Sequence, residues 1–124
     1  MPNSNQPLKV FSNLSVLIVE DNLVAACSLK RTLTDLGATV THAETGKAAI
    51  ELASRKDFDF MVLDHDLPDT TGPEIAKKVR QLDRENEDKM TPLILLTANL
   101  NEERKTRSRE AGINILVTNE FSGF

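Results

Sequence analysis

The chain has 124 residues, of which 40% are apolar and 27% charged, with a formal net charge of −4, one cysteine, and no tryptophan or tyrosine. That length builds one domain around one core. A mildly acidic chain poor in aromatics offers no basic footprint for nucleic acid or anionic membrane and no base-stacking platform. The single cysteine, Cys27, excludes an intrachain disulfide, no apolar run reaches the length of a membrane span, and the first residues lack a signal-peptide core. A soluble, cytoplasmic domain is therefore expected.

Residues 1–13, with two prolines, three asparagines and two serines, read as a tail or linker in which Leu8, Val10 and Phe11 are free to dock. Residues 14–124 are expected to form the domain. Val16–Val19 is a continuous apolar run, the mark of a strand buried on both faces. A helix follows, with Ala26, Leu29, Leu33 and Leu36 on one face and Gly37 as its stop. Ala38–His42 reads as a strand, and Thr45–Ser54 as a helix carrying Ala49, Ile50 and Ala53. Phe58–Leu63 is a second apolar strand. Pro73–Leu82 is helical, with proline in its first turn and Ile75, Val79 and Leu82 on one side. Asp83–Lys89 reads as a charged loop. Leu93–Leu96 is a further strand, Asn101–Ala111 a helix closed by Gly112, and Ile113–Val117 the last strand. Strands alternating with single helices predict an α/β, doubly wound, five-stranded parallel sheet.

In such sheets the chemistry sits at the carboxyl ends of the strands, near the topological switch point. Glu20 and Asp21 follow the first strand, Asp64 the third, Thr97 the fourth and Asn119 the fifth. Three carboxylates gathered on one edge repel one another and call for a cation. Oxygen donors without His or Cys favour Mg2+ over zinc. A metal-neutralised aspartate can act as a nucleophile and form an acyl phosphate, with the Thr97 hydroxyl placed to donate to a phosphoryl oxygen. His65 follows Asp64 directly and should point away from it. His42 ends the second strand without an identified partner. Cys27 reads as a small packing residue on the first helix. The helix around Glu102–Glu110 is almost wholly polar and reads as a solvated face laced with i,i+4 pairs, with a partner surface as the alternative.

Glu20-Asp21-Asn22 after Val-Leu-Ile-Val, the stretch Asp64-His65-Asp66-Leu67-Pro68-Asp69-Thr70-Thr71-Gly72, and Leu96-Thr97-Ala98-Asn99 fall in one order and spacing. Together they resemble the receiver domain of two-component response regulators and hybrid sensor histidine kinases, from about Ser15 to Phe121. The Thr45–Ala49 and Leu67–Asp69 stretches look most like receivers attached to hybrid kinases. The resemblance implies a flavodoxin-like fold and a set of roles. Asp64 would be the phosphoacceptor, Asp21 a direct Mg2+ ligand, Glu20 a second acid acting through water, and the backbone carbonyl of Asp66 a third protein ligand. Thr97 would be the phosphate-contacting switch hydroxyl, and Asp66 and Asn99 would tune hydrolysis of the acyl phosphate. The implied partner is a histidine kinase or a histidine phosphotransfer domain, with no direct nucleic acid or membrane contact.

The sequence also departs from the family. Asn119-Glu120 stands where a receiver usually carries Lys-Pro, and Leu116 where it carries an aromatic switch residue. The residues after Phe121 are too few for the usual fifth helix. The expected consequences are truncation of a larger protein, cover of the bare sheet face by the N-terminal tail, or a homodimer through that face. A degenerate pseudo-receiver, acting as a binding or dimerisation module, is the alternative reading. A haloacid-dehalogenase-type hydrolase is disfavoured, because the first strand ends Glu20-Asp21-Asn22 instead of in a D-x-D motif.

Overall fold

The structure, a computed structural model, describes residues 10–118. Strands and helices alternate: β1 (Ser15–Val19), α1 (Leu23–Asp35), β2 (Thr39–Ala43), α2 (Gly46–Arg55), β3 (Phe60–Asp64), α3 (Gly72–Glu85), β4 (Leu93–Thr97), α4 (Glu102–Glu110) and β5 (Ile115–Thr118). The five strands form one sheet in the order β2-β1-β3-β4-β5, and each neighbouring pair is parallel. The expected fold is thus present, with strand ends displaced by a residue or two. One displacement matters for chemistry: Asp64 and Thr97 are the last residues of β3 and β4, so the ladder itself holds their backbones.

Local chemistry sets the helix starts. Asn22, Thr45, Thr71 and Asn101 are extended N-cap residues whose side chains accept from the backbone N–H three residues on, which satisfies an otherwise orphaned donor. After α1 the chain turns at Gly37, where φ is +101°, a conformation that favours glycine.

Alternate residues of the strands face opposite sides of the sheet. On one face Leu17, Val19, Met61, Leu63, Leu93 and Leu95 pack with Ala49 of α2 and with Ile75, Ala76 and Val79 of α3. Leu116, at the aromatic position of the resemblance, packs against this cluster. On the other face Val16, Ile18 and Val62 pack with Leu33 of α1, and Leu29, Phe60, Ile94 and Leu96 are partly buried against them. Phe11 joins this second cluster, its ring edge-on to Phe60 at 5.8 Å, while its backbone N–H donates to Leu36 O at 2.8 Å. Phe11 therefore docks on the face that carries α1, in line with one of the three expected consequences, while Val10 is exposed. Leu8, Asn119, Glu120, Phe121 and the question of a fifth helix lie outside the described residues.

Two expectations need correction. Cys27 is exposed and not a packing residue, because α1 turns Ala26 and Leu33, one and six residues away, into the core instead. Asp83 belongs to α3 and is only 5% exposed, so the charged loop begins later. Its carboxylate is buried because Arg80 and the Thr91 backbone and hydroxyl satisfy it.

Candidate functional site

Glu20, Asp21 and Asp64 come together at the carboxyl ends of β1 and β3, between which the strand order reverses. The backbone on either side of the site is tightly held. Glu20 N–H donates to Ala43 O at 3.0 Å, and the His42 Nε2 lies 2.6 Å from Glu20 O, which gives His42 a partner that the sequence did not reveal. His65 N–H donates to Leu96 O at 3.0 Å, which fixes the peptide just beyond Asp64.

One carboxylate oxygen from each of Glu20, Asp21 and Asp64 lies within 4.8 Å of the other two. Asp21 is exposed, whereas Glu20 and Asp64 are half-buried. Burial raises the Glu20 carboxyl to about 7, and the neighbouring Asp64 carboxylate adds to the shift. Burial likewise raises Asp64, with the Asp21 charge adding to it, while hydrogen bonds from Glu20 and from the Asp66 and His65 backbone act in the opposite sense. Both acids thus resist ionising side by side. A divalent cation would remove that conflict, and an all-oxygen donor set of three carboxylates suits a hard cation such as Mg2+.

Asp66 lies two residues beyond Asp64 in a tight loop. Leu67 N–H donates to Thr70 O at 3.0 Å and Gly72 N–H to His65 O at 2.9 Å. Asp69 staples this loop to the start of α2: its two carboxylate oxygens accept from Gly46 and Lys47 N–H, each at 2.9 Å. Those two donors hold the Asp69 carboxyl below the usual range. The Asp66 side chain is exposed and meets the His65 Nδ1 at 3.0 Å. His65 itself faces the groove between α3 and α4, near Thr71, Pro73 and Arg107, away from the acid cluster as expected.

Thr97 is 1% exposed. Its hydroxyl donates to Asn99 O at 3.2 Å and accepts from Asn99 N–H and from Arg104 Nη1, both at 3.3 Å. Arg104 also lies 3.8 Å from an Asp66 carboxylate oxygen. Its side chain is 27% exposed, so the solvated reading of α4 fails at this residue: one cation of that helix turns in toward the strand ends. The solvated reading fails also at Ser108, which is fully buried, whereas exposed pairs such as Arg107–Glu103 fit it. Asp69 and Arg104 were both missed as site residues, since nothing in their local sequence separates them from surface charges.

A parallel sheet with an acid cluster at its switch point defines a class, and the comparisons agree: the chain belongs to the response regulator receiver domain family, which it matches over residues 16–123. It is 36% identical over 109 residues to the aerobic respiration control sensor protein ArcB of Escherichia coli, covering 88% of this chain and 14% of ArcB. Chemotaxis protein CheY-3 of Vibrio cholerae is 31% identical over 111 residues, covering 89% of this chain and 83% of CheY-3. The chain spans only 5% of a third relative, the peroxide stress-activated histidine kinase Mak2 of Schizosaccharomyces pombe. Among solved structures, the receiver domain of a sensor histidine kinase from Pseudomonas aeruginosa superposes with a TM-score of 0.78 at 28% identity, covering 89% of this chain and 88% of that one. That structure holds a magnesium ion coordinated in its active-site cleft.

Proposed function

We propose that this chain is a phosphoacceptor receiver in a phosphorelay, taking a phosphoryl group from phosphohistidine onto Asp64. The observation that carries the reading is the cluster of Glu20, Asp21 and Asp64 oxygens at the switch point, with the buried Thr97 hydroxyl at the end of the adjoining strand. An Asp64 carboxylate oxygen attacks phosphorus as the bond from phosphorus to the imidazole nitrogen breaks. The leaving imidazole keeps the electron pair, and the product is an acyl phosphate.

Asp21 and Asp64 would hold Mg2+ directly, the Asp66 backbone carbonyl would complete the protein ligands, and Glu20 would act through water. The bound metal would supply charge neutralisation for the carboxylate and the incoming phosphoryl oxygens. Thr97 would release the Asn99 carbonyl and donate its proton to a phosphoryl oxygen, which makes it the element that senses phosphate. Asp69, by stapling the loop to α2, positions Asp66. The partner is a histidine kinase or histidine phosphotransfer domain, as similarity to hybrid kinases supports, and the setting is cytoplasmic.

Incubation with Mg2+ and a small phosphodonor, followed by intact mass measurement, tests the reading. Wild type is expected to gain one phosphoryl group that maps to Asp64, and Asp64→Asn or removal of the metal to abolish it. A folded wild type that stays unmodified would refute phosphoacceptance and leave the pseudo-receiver as the better description.

A further inference from the structure

The charges of the site do not balance without another cation. Glu20, Asp21, Asp64 and Asp66 carry up to four negative charges at this edge, a divalent ion removes two, and turning the Asp64 carboxylate into an acyl phosphate dianion adds about one more. Asn119, the residue after the last described one, brings no charge. Among the described residues in contact here, Arg104 is the one with a permanent positive charge; the His65 imidazole also meets Asp66, at 3.0 Å, but on its outer side. Its guanidinium touches the Thr97 hydroxyl at 3.3 Å and lies 3.8 Å from Asp66.

Resting on the reading of Asp64 as phosphoacceptor, we propose that Arg104 is the phosphoryl-binding cation of this chain, reaching from α4 past Thr97 to an oxygen of the group on Asp64. Three features support the reach. First, α4 is anchored where Arg104 leaves it: Arg104 N–H donates to the Asn101 N-cap oxygen at 2.8 Å. Second, the contact with Asp66 is loose and Asp66 is 74% exposed, so giving it up costs little. Third, a guanidinium has five N–H donors, and the contacts with Thr97 and Asp66 both run through Nη1. A phosphoryl oxygen that meets the Thr97 hydroxyl would share that hydroxyl with Arg104 as a neighbour. The two side chains, already in contact, would then move together, Thr97 donating one proton and Arg104 supplying charge.

The bland alternative is an arginine that only ties the start of α4 to the β3–α3 loop. The two roles separate in a binding experiment. Beryllofluoride, a mimic of the phosphoryl group, is titrated calorimetrically into the Mg2+-loaded full chain, and labelling rates with a small phosphodonor are measured alongside. Wild type, Arg104→Ala and Arg104→Lys are compared, with melting temperatures and Mg2+ affinities taken for each. Loss of one charge-assisted hydrogen bond should weaken beryllofluoride binding by roughly 10- to 100-fold in Arg104→Ala. Arg104→Lys should lose less, because the charge stays while the planar fork is lost. Mg2+ affinity should change far less than beryllofluoride affinity. If Arg104→Ala binds beryllofluoride and labels as wild type does, the proposal is wrong while the phosphoacceptor reading stands. If lysine fails as badly as alanine and both variants lose melting temperature and Mg2+ affinity together, Arg104 is structural and the proposal is equally overturned. A wild type that takes neither beryllofluoride nor phosphoryl removes the phosphoacceptor reading itself, and this inference with it.

Discussion

Glu20 shows how one side chain reports on the state of the whole site. Its carboxyl is raised to about 7 by burial and by Asp64, so the folded chain holds a proton that the unfolded chain releases at the ordinary carboxylate value. The stability tied to that proton is complete below about pH 4.5 and is lost as pH rises through about 7. Asp64, also raised, acts with the same sign. The exposed Asp69, lowered by its two backbone donors, acts with the opposite sign, favouring the fold above its unfolded value and losing that contribution as pH falls. In the metal-free protein the melting temperature is therefore expected to fall between about pH 5 and about pH 8, and Glu20→Gln to flatten that fall. Mg2+ should stabilise the protein much more at the upper end of this range than at the lower, since it competes with protons for the same oxygens. Thermal unfolding with and without Mg2+ at both ends checks this. An equal metal effect at the two pH values would mean that the cation does not engage these acids.

At the scale of elements, the β3–α3 connection sets the position of Asp64. A Cβ added to Gly72 would collide with the Leu95 side chain and lie 2.7 Å from Asp64 O. The first turn of α3 thus rests on the backbone of the proposed nucleophile, and a backbone atom held in the sheet cannot step aside. Gly72→Ala is expected to cost about 1–3 kcal/mol, the scale of overpacking, and to slow labelling of Asp64 by moving its peptide. Denaturant unfolding and intact mass measure both; a variant as stable and as reactive as wild type would show that the contact relaxes freely. At Gly46, by contrast, the added atom meets first the end of the Thr70 side chain, which can turn away. These elements were legible in the sequence because β1, β3 and β4 are built on apolar runs and because apolar residues recur on one side of α1, α2 and α3 between glycine and proline signals. The acid cluster was legible because strand ends gather in an α/β sheet. Arg104, Asp69 and Asp83 were not, since a charged residue in a polar segment reads as solvated until a distant segment supplies its partner. Cys27 erred in the other direction: a small side chain on an amphipathic helix suits either face.

Over the whole molecule, the two ends of the sheet do different work. The carboxyl ends carry the carboxylates, whose mutual repulsion weighs against the fold. The amino ends carry a satisfied ion network that joins α3 to the segments entering β4 and β5. Arg80 donates to Asp83 at 2.9 Å, to Thr91 O at 2.7 Å, to Gly112 O at 2.7 and 3.1 Å, and to Asn114 Oδ1 at 2.8 Å. Asn114 Oδ1 in turn accepts from Leu93 N–H at 2.8 Å, so one side chain registers two strands and a helix. The pair is buried, Arg80 at 13% and Asp83 at 7% side-chain exposure. Removing only the cation leaves a buried carboxylate with its two Thr91 hydrogen bonds but no counter-charge, which costs up to about 3–5 kcal/mol, a large share of the 5–15 kcal/mol typical of a domain's total stability. Arg80→Ala is accordingly expected to lower the denaturation midpoint severely. Because the network lies at the opposite strand ends from Asp64, the folded fraction should still bind Mg2+ and label at close to the wild-type rate once Mg2+ and low temperature hold it folded. Circular dichroism against denaturant gives the stability, and labelling normalised to folded protein gives the chemistry. Loss of both in proportion, beyond what unfolding explains, would mean that the amino-end network also sets the geometry of the site and that the two ends are coupled through the sheet.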